Sequence, residues 1–249
     1  MGFCVLAQGR KTLKQLIYFI CLGIIVSLVL LLTASAFSAE IQRTALVIGN
    51  AKYKLSTLRN PVNDAEDMAA SLKKSGFLVT SVTNANLKLM EQSVFDFGQQ
   101  LRKGGVGLFY YAGHGIQVNG RNYLIPIDAR IESESDVKYA SVDVGRILGK
   151  MEDAHNDINI IVLDACRDNP FSRGFRSYNR GLARIDAPSG SILAYATAPG
   201  DVAADGSGRN GLYTSKLLKH MTAPGTPIEQ IFKNEQIESY CDSRTRNKL

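Results

Sequence analysis

The feature that most constrains the fold is a short apolar run from Ile158 to Leu163, which ends in a cluster of charged residues. Ile, Val and Leu at nearly every position are typical of a strand buried on both faces of a parallel sheet. The chain then reads D-A-C-R-D, so Cys166 lies at the carboxyl end of this strand. Open α/β sheets place their active sites at that edge. A structural cysteine would lie within the apolar run, so we interpret Cys166 as a reactive thiol.

A second apolar run, from Val106 to Tyr111, stops in the same way at the small residues A-G-H-G. A thiol is a good nucleophile only as the thiolate, so Cys166 needs a base, and His114 in this block can supply one. Because the carboxyl ends of parallel strands meet at one edge of a sheet, the two blocks predict an imidazole beside a thiol. The alternative is that His114 is a half-buried structural histidine.

The blocks Y-Y-A-G-H-G and L-D-A-C-R-D-N-P resemble motifs of the caspase-like cysteine peptidases, most closely the bacterial caspase homologues related to metacaspases and paracaspases. The histidine lies about 50 residues before the cysteine, the separation typical of caspases. R-T-A-L-V-I-G-N near the start and L-A-Y-A-T-A-P-G after the cysteine support the resemblance. It extends from about Arg43 to about Phe232, which is most of the chain beyond the leader.

This resemblance implies an α/β caspase-like fold, with a mostly parallel central sheet flanked by helices on both faces. It also implies a cysteine endopeptidase with a catalytic dyad of His114 and Cys166. The N–H groups of Gly115 and Cys166 would then form the oxyanion hole.

An aspartate two residues before Cys166 predicts the specificity. Caspases, which accept acidic side chains, have a neutral Gln where this chain has Asp164. A carboxylate there rejects Asp and attracts Arg or Lys through charge-assisted pairing. Metacaspases and paracaspases cleave after basic residues, and resemblance to them adds Asp64 and Asp205 to the substrate-binding pocket. Without the resemblance, Asp64 is better explained as a helix-start carboxylate and Asp205 as a turn residue.

Two departures from the metacaspase pattern concern the pocket and calcium. Ala112 stands where metacaspases have Ser, so the pocket lacks one hydroxyl. Acidic residues are spread through I-D-A-R-I-E-S-E-S-D, whereas calcium-dependent metacaspases have clustered aspartates. We interpret this segment as a solvated acidic loop and expect neither a metal nor a cofactor; a weak calcium site is the alternative. The acidic residues concerned are Asp128, Glu132, Glu134 and Asp136.

Residues 1–39 are expected to be a leader that precedes a peptidase domain at residues 40–249. A basic start is followed by an apolar run from Leu16 to Leu32 and then by A-S-A, the layout of a secretory signal. Because the run is nearly long enough to span a bilayer, an uncleaved membrane anchor is the alternative. Both interpretations predict an exported protein, either periplasmic or anchored to the membrane and facing outward.

The chain has four cysteines, of which Cys4 and Cys21 lie in the leader and Cys166 and Cys241 in the domain. Two cysteines do not make a disulfide framework, and pairing would abolish the nucleophile, so we expect both to be free.

The net charge of +6 is not accompanied by any nucleic-acid-binding motif. The expected partners are protein or peptide substrates with Arg or Lys at the cleavage site, not nucleic acid. Contact with a membrane is expected only through the leader.

An arginine-rich segment follows Cys166, and residues 167–190 are expected to form an exposed loop. If the protein cleaves after Arg, residues 167–184 offer sites for self-processing.

Two other functions are considered: a catalytically silent scaffold or binding module of the same fold, and a generic α/β hydrolase. The intact catalytic motifs disfavour the scaffold, and the hydrolase would need a G-x-S-x-G motif that this chain lacks.

Strand and helix patterns alternate from Arg43 onward, which predicts a largely parallel sheet covered on both faces. Asn60 is expected to cap a helix that starts with Pro61 and ends at Gly76, and Asn119-Gly120 to form a tight turn. The polar stretch after Cys241 is interpreted as a truncated or divergent end. Further strands are predicted at 44–48, 77–82 and 191–196, and further helices at 87–101, 142–151, 212–221 and 228–236.

Overall fold

The chain divides into two units, Met1–Glu40 and Ile41–Leu249. In the first unit, the described residues are helical and exposed. None of the helices in the described residues is both long enough and apolar enough to cross a membrane. The computed structural model describes residues 18–24, 27, 41–102, 104–166, 182–185, 188–196, 208–221, 226, 228 and 230–233.

Seven strands form one sheet in the described part of the second unit. They are β1 (Arg43–Gly49), β2 (Leu78–Thr83), β3 (Val106–Val118), β4 (Arg121–Leu124), β5 (Val142–Asp143), β6 (Ile158–Cys166) and β7 (Ser191–Tyr195). Five strands run parallel in the order β2-β1-β3-β6-β7. The last part of β3 pairs antiparallel with β4, which pairs antiparallel with β5. The predicted, mostly parallel sheet is therefore confirmed.

Four helices cover the two faces of the parallel strands: α1 (Pro61–Lys74), α2 (Leu87–Gln100), α4 (Val144–Asp153) and α5 (Leu212–Met221). The short helix α3 (Val137–Ala140) packs through Val137 in a third cluster, with Ile116 and Tyr123. Helices α2 and α4 pack on one face with Phe109 and Ile161, whereas α1 and α5 pack on the other with Tyr110 and Val162. Successive strand residues thus point into two separate cores, which explains the continuous apolar run in β6. Ile158 is the exception, since it is 41% exposed at the start of β6.

Strand β3 continues past the residue at which it was predicted to stop. It runs through His114 to Val118 because the residues after His114 pair with β4. The small residues A-G-H-G mark the place where β3 exchanges its parallel neighbours for an antiparallel partner. Asn119 and Gly120 then form the predicted tight turn, with φ angles of 52° and 76°.

The ends of two helices also differ from prediction. Asn60 occupies the N-cap position of α1, but its side chain makes no capping hydrogen bond. The helix predicted at 142–151 starts two residues later, because Val142 and Asp143 form β5. Asp143 then caps α4 by accepting the N–H of Gly145, a signal that the helical periodicity of the apolar residues obscured.

Part of the segment predicted to be an exposed loop is packed against the sheet. Leu182 is 4% exposed in the core, and the backbone of Ala183 exchanges two hydrogen bonds with the side chain of Asn122. An apolar side chain and a paired backbone therefore return the chain to the sheet before β7. Residues 167–181, like Cys241 and the chain end, lie outside the described residues.

Candidate active site

Strands β3 and β6 bring His114 and Cys166 together. The two strands are parallel neighbours, and their register pairs the Cα atom of His114 with that of Cys166. Paired strands lie about 4.8 Å apart, so two blocks distant in sequence are adjacent in the sheet. Of Cys166, the structure describes the backbone position in β6. The juxtaposition lies toward the carboxyl ends of the parallel strands, where the sequence places it.

A backbone carbonyl orients the imidazole of His114. His114 is 2% exposed, and its Nε2 atom lies 2.8 Å from the carbonyl oxygen of Ser56. A carbonyl oxygen only accepts hydrogen bonds, so Nε2 carries the hydrogen. In the neutral ring, Nδ1 is then the nitrogen that takes up a proton, as a general base requires. Ser56 was not predicted, because a backbone carbonyl in a loop has no residue-type signal.

Two buried tyrosines hold the backbone of His114. The hydroxyl of Tyr53 accepts the N–H of His114 at 2.9 Å, and the hydroxyl of Tyr111 donates to the carbonyl of His114 at 2.8 Å. The two hydroxyls lie 3.1 Å apart, and each lies within hydrogen-bond distance of the carbonyl oxygen of Ile125, at 3.2 Å for Tyr53 and 3.0 Å for Tyr111. The Tyr53 ring packs on the imidazole, with centroids 4.4 Å apart. The backbone and the ring of His114 are thus both held by the network of Tyr53 and Tyr111.

Gly113 makes room for the tyrosine hydroxyls. Its φ angle is +154°, and a Cβ atom at this position would lie 2.5 Å from the oxygen of Tyr53 and 2.7 Å from that of Tyr111. Any other residue would displace the network that holds His114.

Gly115, the predicted oxyanion-hole residue, lies at the point where β3 turns to its antiparallel partner. A Cβ atom there would lie 2.9 Å from the Cβ of Ala165 and 3.2 Å from Cδ2 of Leu182. A glycine is therefore needed for the close approach of β3 to β6 beside His114 and Cys166.

Asp64 and Asp164, predicted to share a pocket, face the same glycine. Asp64 is 3% exposed in the first turn of α1, and its Oδ1 atom accepts the N–H of Gly211 at 2.9 Å. A Cβ atom at Gly211 would lie 3.3 Å from Oδ2 of Asp64 and 3.7 Å from Oδ2 of Asp164. The structure therefore brings the two carboxylates together at the start of α5.

Burial shifts the pKa of Asp64 away from its ordinary value. The loss of hydration, and next to it the negative charge of Asp164, raises the pKa of Asp64 to about 7. Hydrogen bonds from Gly211 and Asn210 lower the pKa, but they do not offset burial. A cation between the two carboxylates would relieve their repulsion, so the arrangement suits a positively charged ligand.

Thr214 and Tyr110 complete the surroundings of Asp164. The hydroxyl of Thr214 donates to Oδ2 of Asp164 at 2.6 Å and lies 2.5 Å from the hydroxyl of Tyr110. Neither residue was predicted from the sequence. Thr214 is marked only as a small polar residue on the apolar side of a helix, and Tyr110 lies in an otherwise apolar strand.

An ion-pair cluster anchors the segment before α5 to α1. Arg209 pairs with Glu66 and Asp67 at 3.0 and 2.9 Å, and the side chain of Asn210 also donates to Asp67. The hydrogen bond from Arg209 is the main reason why the pKa of Asp67 is lowered. These contacts hold Gly211 in place beside Asp64.

Asp205, the third predicted member of the pocket, lies outside the described residues.

The acidic segment considered as a calcium site, from Asp128 to Asp136, lies within the described residues. Asp128 accepts the N–H of Leu87, whereas Asp136 accepts the N–H groups of Glu132 and Ser133. Two of the acidic side chains thus cap the backbone. In the described residues, no group of three or more His, Cys, Asp or Glu side chains is placed to hold a metal.

Comparison with known proteins gives two findings. The family model described as "Caspase domain" matches residues 42–242. Two curated relatives are each 30% identical over 162 residues: human "Mucosa-associated lymphoid tissue lymphoma translocation protein 1" and its Mus musculus homolog. The alignments cover 64% of this chain but only 19% of the human protein and 18% of the mouse protein. The similarity therefore concerns one region of longer proteins.

Proposed function

Because this chain belongs to the caspase domain family, which indicates a cysteine peptidase, we propose that it is an endopeptidase that cleaves after Arg or Lys. The observation that carries the proposal is the register pairing of His114 with Cys166. The buried carboxylate of Asp64 and the half-buried carboxylate of Asp164 supply the proposed specificity. Its substrates are proteins or peptides with a basic residue before the cleaved bond, the P1 residue.

Cys166 is the proposed nucleophile and His114 the proposed base. Nδ1 of His114 takes the thiol proton, and the sulfur attacks the carbonyl carbon of the peptide bond. As the C–N bond breaks, the proton passes to the leaving amine, and a thioester remains. Water then gives a proton to the same nitrogen and attacks the thioester. Breaking the C–S bond releases the carboxylic acid, and the thiol regains its proton.

The N–H groups of Gly115 and Cys166 are proposed to stabilise the oxyanion in both steps. Support comes from the register, because Gly115 directly follows His114, the partner of Cys166 on the neighbouring strand, so the two backbone N–H groups belong to adjacent stretches of chain.

Asp64 and Asp164 are proposed to bind the basic P1 side chain, with Asp205 as a third acidic member. A guanidinium or ammonium group between the carboxylates replaces a repulsion with two charge-assisted hydrogen bonds. An acidic P1 residue would add a further negative charge to the pocket and is rejected.

The leader is proposed to export the domain or to anchor it facing outward, and the catalysis is proposed to need no metal. Self-processing within residues 167–184 is proposed, and it is tested by electrophoresis of freshly expressed protein. We expect the active protein to be cut there and the Cys166→Ala protein to stay intact. If both proteins remain uncut, the protein does not process itself.

Hydrolysis of fluorogenic peptides that differ only in P1 tests the function. We expect cleavage after Arg and Lys, none after Asp, none by Cys166→Ala, and no change on adding calcium or a chelator. Cleavage after Asp would contradict the pocket assignment. No cleavage of any peptide would contradict the peptidase and favour the scaffold alternative.

A further inference from the structure

The segment that begins α5 supplies hydrogen-bond donors to the carboxylates of both Asp64 and Asp164. The N–H of Gly211 donates to Asp64, and the hydroxyl of Thr214 donates to Asp164. Thr214 is fully buried in the first turn of α5. A backbone donor survives most substitutions, but the donor to Asp164 depends on the side chain of Thr214.

The hydrogens in the contacts around Asp164 can be assigned. An ionised carboxylate only accepts, so the single hydroxyl hydrogen of Thr214 points at Asp164. The buried hydroxyl of Tyr110, 2.5 Å from that of Thr214, must then donate to it. Bonds to an ionised acceptor are about twice as strong as neutral ones, and donors in a chain polarise one another. The hydroxyl of Thr214 therefore fixes one oxygen of Asp164, and the hydroxyl of Tyr110 fixes that of Thr214.

The sheet places this chain of donors. Tyr110 on β3 is paired with Val162 on β6, and two residues later Ala112 is paired with Asp164. Side chains two apart on a strand share a face, so Tyr110 and Asp164 point to the same side. This is the side covered by α1 and α5. Thr214 thus bridges α5 to two neighbouring strands.

We propose that Thr214, oriented by Tyr110, is a positioning residue that holds Asp164 for recognition of a basic P1 side chain. This inference rests on the proposed function and deepens it. A planar guanidinium needs carboxylate oxygens in fixed positions for paired hydrogen bonds. Without its donor, Asp164 is free to turn away from the ligand.

Variants at Thr214 test the inference through kcat and KM for a peptide with P1 Arg. Thr214→Val keeps the shape and removes the donor, so KM should rise roughly tenfold, as expected for the loss of one hydrogen bond to a charged group. Its kcat should be unchanged. Thr214→Ser keeps the hydroxyl and should restore the wild-type KM. Ser215→Ala removes an exposed hydroxyl from the same helix and is the matched control.

Two outcomes would overturn the positioning role. In one, Thr214→Val lowers kcat and leaves KM unchanged; in the other, Thr214→Ser fails to restore KM. Alkylation of Cys166 by iodoacetamide, which has no P1 side chain, should proceed at the wild-type rate in every variant. A slower rate in Thr214→Val would show a general disturbance and also overturn the inference. If Thr214→Val does not fold, Tyr110→Phe is measured in its place. We expect a smaller rise in KM for this variant, and an unchanged KM would contradict the positioning role.

A binding measurement separates this inference from the proposed function. Calorimetry in the Cys166→Ala background uses a short peptide amide ending in Arg. Adding Thr214→Val should weaken binding roughly tenfold, and adding Thr214→Ser should not. If the wild-type protein cleaves nothing but these binding differences hold, the peptidase assignment fails and the positioning role stands. If the peptide binds equally to all three proteins, or to none, the positioning role is wrong.

Discussion

His114 and Cys166 are direct register partners on the neighbouring parallel strands β3 and β6. Sheet pairing sets the distance between their backbones, and the carbonyl of Ser56 fixes the imidazole from a separate loop. The relative position of the two residues therefore comes from rigid main-chain elements. Activity is expected to depend on both residues and on the groups that hold the imidazole.

Replacing either member of the dyad is expected to remove activity. Cys166→Ala leaves no nucleophile and should show no turnover of a P1 Arg peptide above background. His114→Ala should lower kcat by about 10²–10⁴, the usual contribution of a general base. His155→Asn is the matched control, because His155 is exposed and its φ of 54° suits Asn. Wild-type kcat in His114→Ala would exclude His114 as the base.

The hydroxyl of Tyr53 is expected to support kcat through His114. Tyr53→Phe keeps the ring on the imidazole but removes the acceptor for the N–H of His114. We expect kcat to fall on the order of fivefold, the equivalent of one hydrogen bond worth about 1 kcal/mol. KM should not change, and Tyr139→Phe at an exposed tyrosine is the control. A change in KM alone would place Tyr53 in substrate binding instead.

The recognition of basic residues is expected to depend on pH. Burial, followed by the charge of Asp164, raises the pKa of Asp64 to about 7, and a cation binds the ionised form. KM for a P1 Arg peptide should therefore fall as pH rises through about 7 and level off above it. Asp64→Asn should raise KM at pH 8 and abolish this step, whereas the exposed control Asp153→Asn should not. If KM still falls near pH 7 in Asp64→Asn, the pH dependence is due to another ionisable group.

The same burial is expected to make Asp64 costly for stability. Its pKa of about 7 in the folded protein exceeds the ordinary 3.8, so between these values the folded state binds more protons than the unfolded state. Stability is therefore lost as pH rises through this window, at about 1.4 kcal/mol for each pH unit. Asp64→Asn should raise the free energy of unfolding in urea at pH 8 and change it little near pH 4. A less stable variant at pH 8 would contradict the raised pKa of Asp64.

The fold and the juxtaposition of His114 with Cys166 were predictable because both depend on regular structure. Alternating apolar patterns predict a parallel sheet covered on both faces, and parallel strands carry His114 and Cys166 to one edge. The same logic failed within β3, where the small residues after Tyr111 were interpreted as a strand end. A change of pairing partner leaves no mark in the periodicity of one strand.

The groups around the pair were not predictable from residue types. Ser56 acts through a carbonyl that any residue has, and Thr214 acts through the docking of α5 on the sheet. The ionisation of Asp64 also depends on packing, since the loss of hydration is set by what covers the carboxylate. Long-range packing therefore determined what the sequence analysis missed.

Covalent trapping tests the central claim most directly. The protein is treated with peptidyl chloromethyl ketones that end in Arg or in Asp, and the modified residue is located by peptide mass spectrometry. We predict that the Arg reagent adds one peptidyl group at Cys166 and that the Asp reagent adds none. His114→Ala should slow this reaction strongly. Modification by the Asp reagent at the same rate, or labelling by the Arg reagent at another residue, would contradict a Cys166 nucleophile beside a pocket for basic side chains.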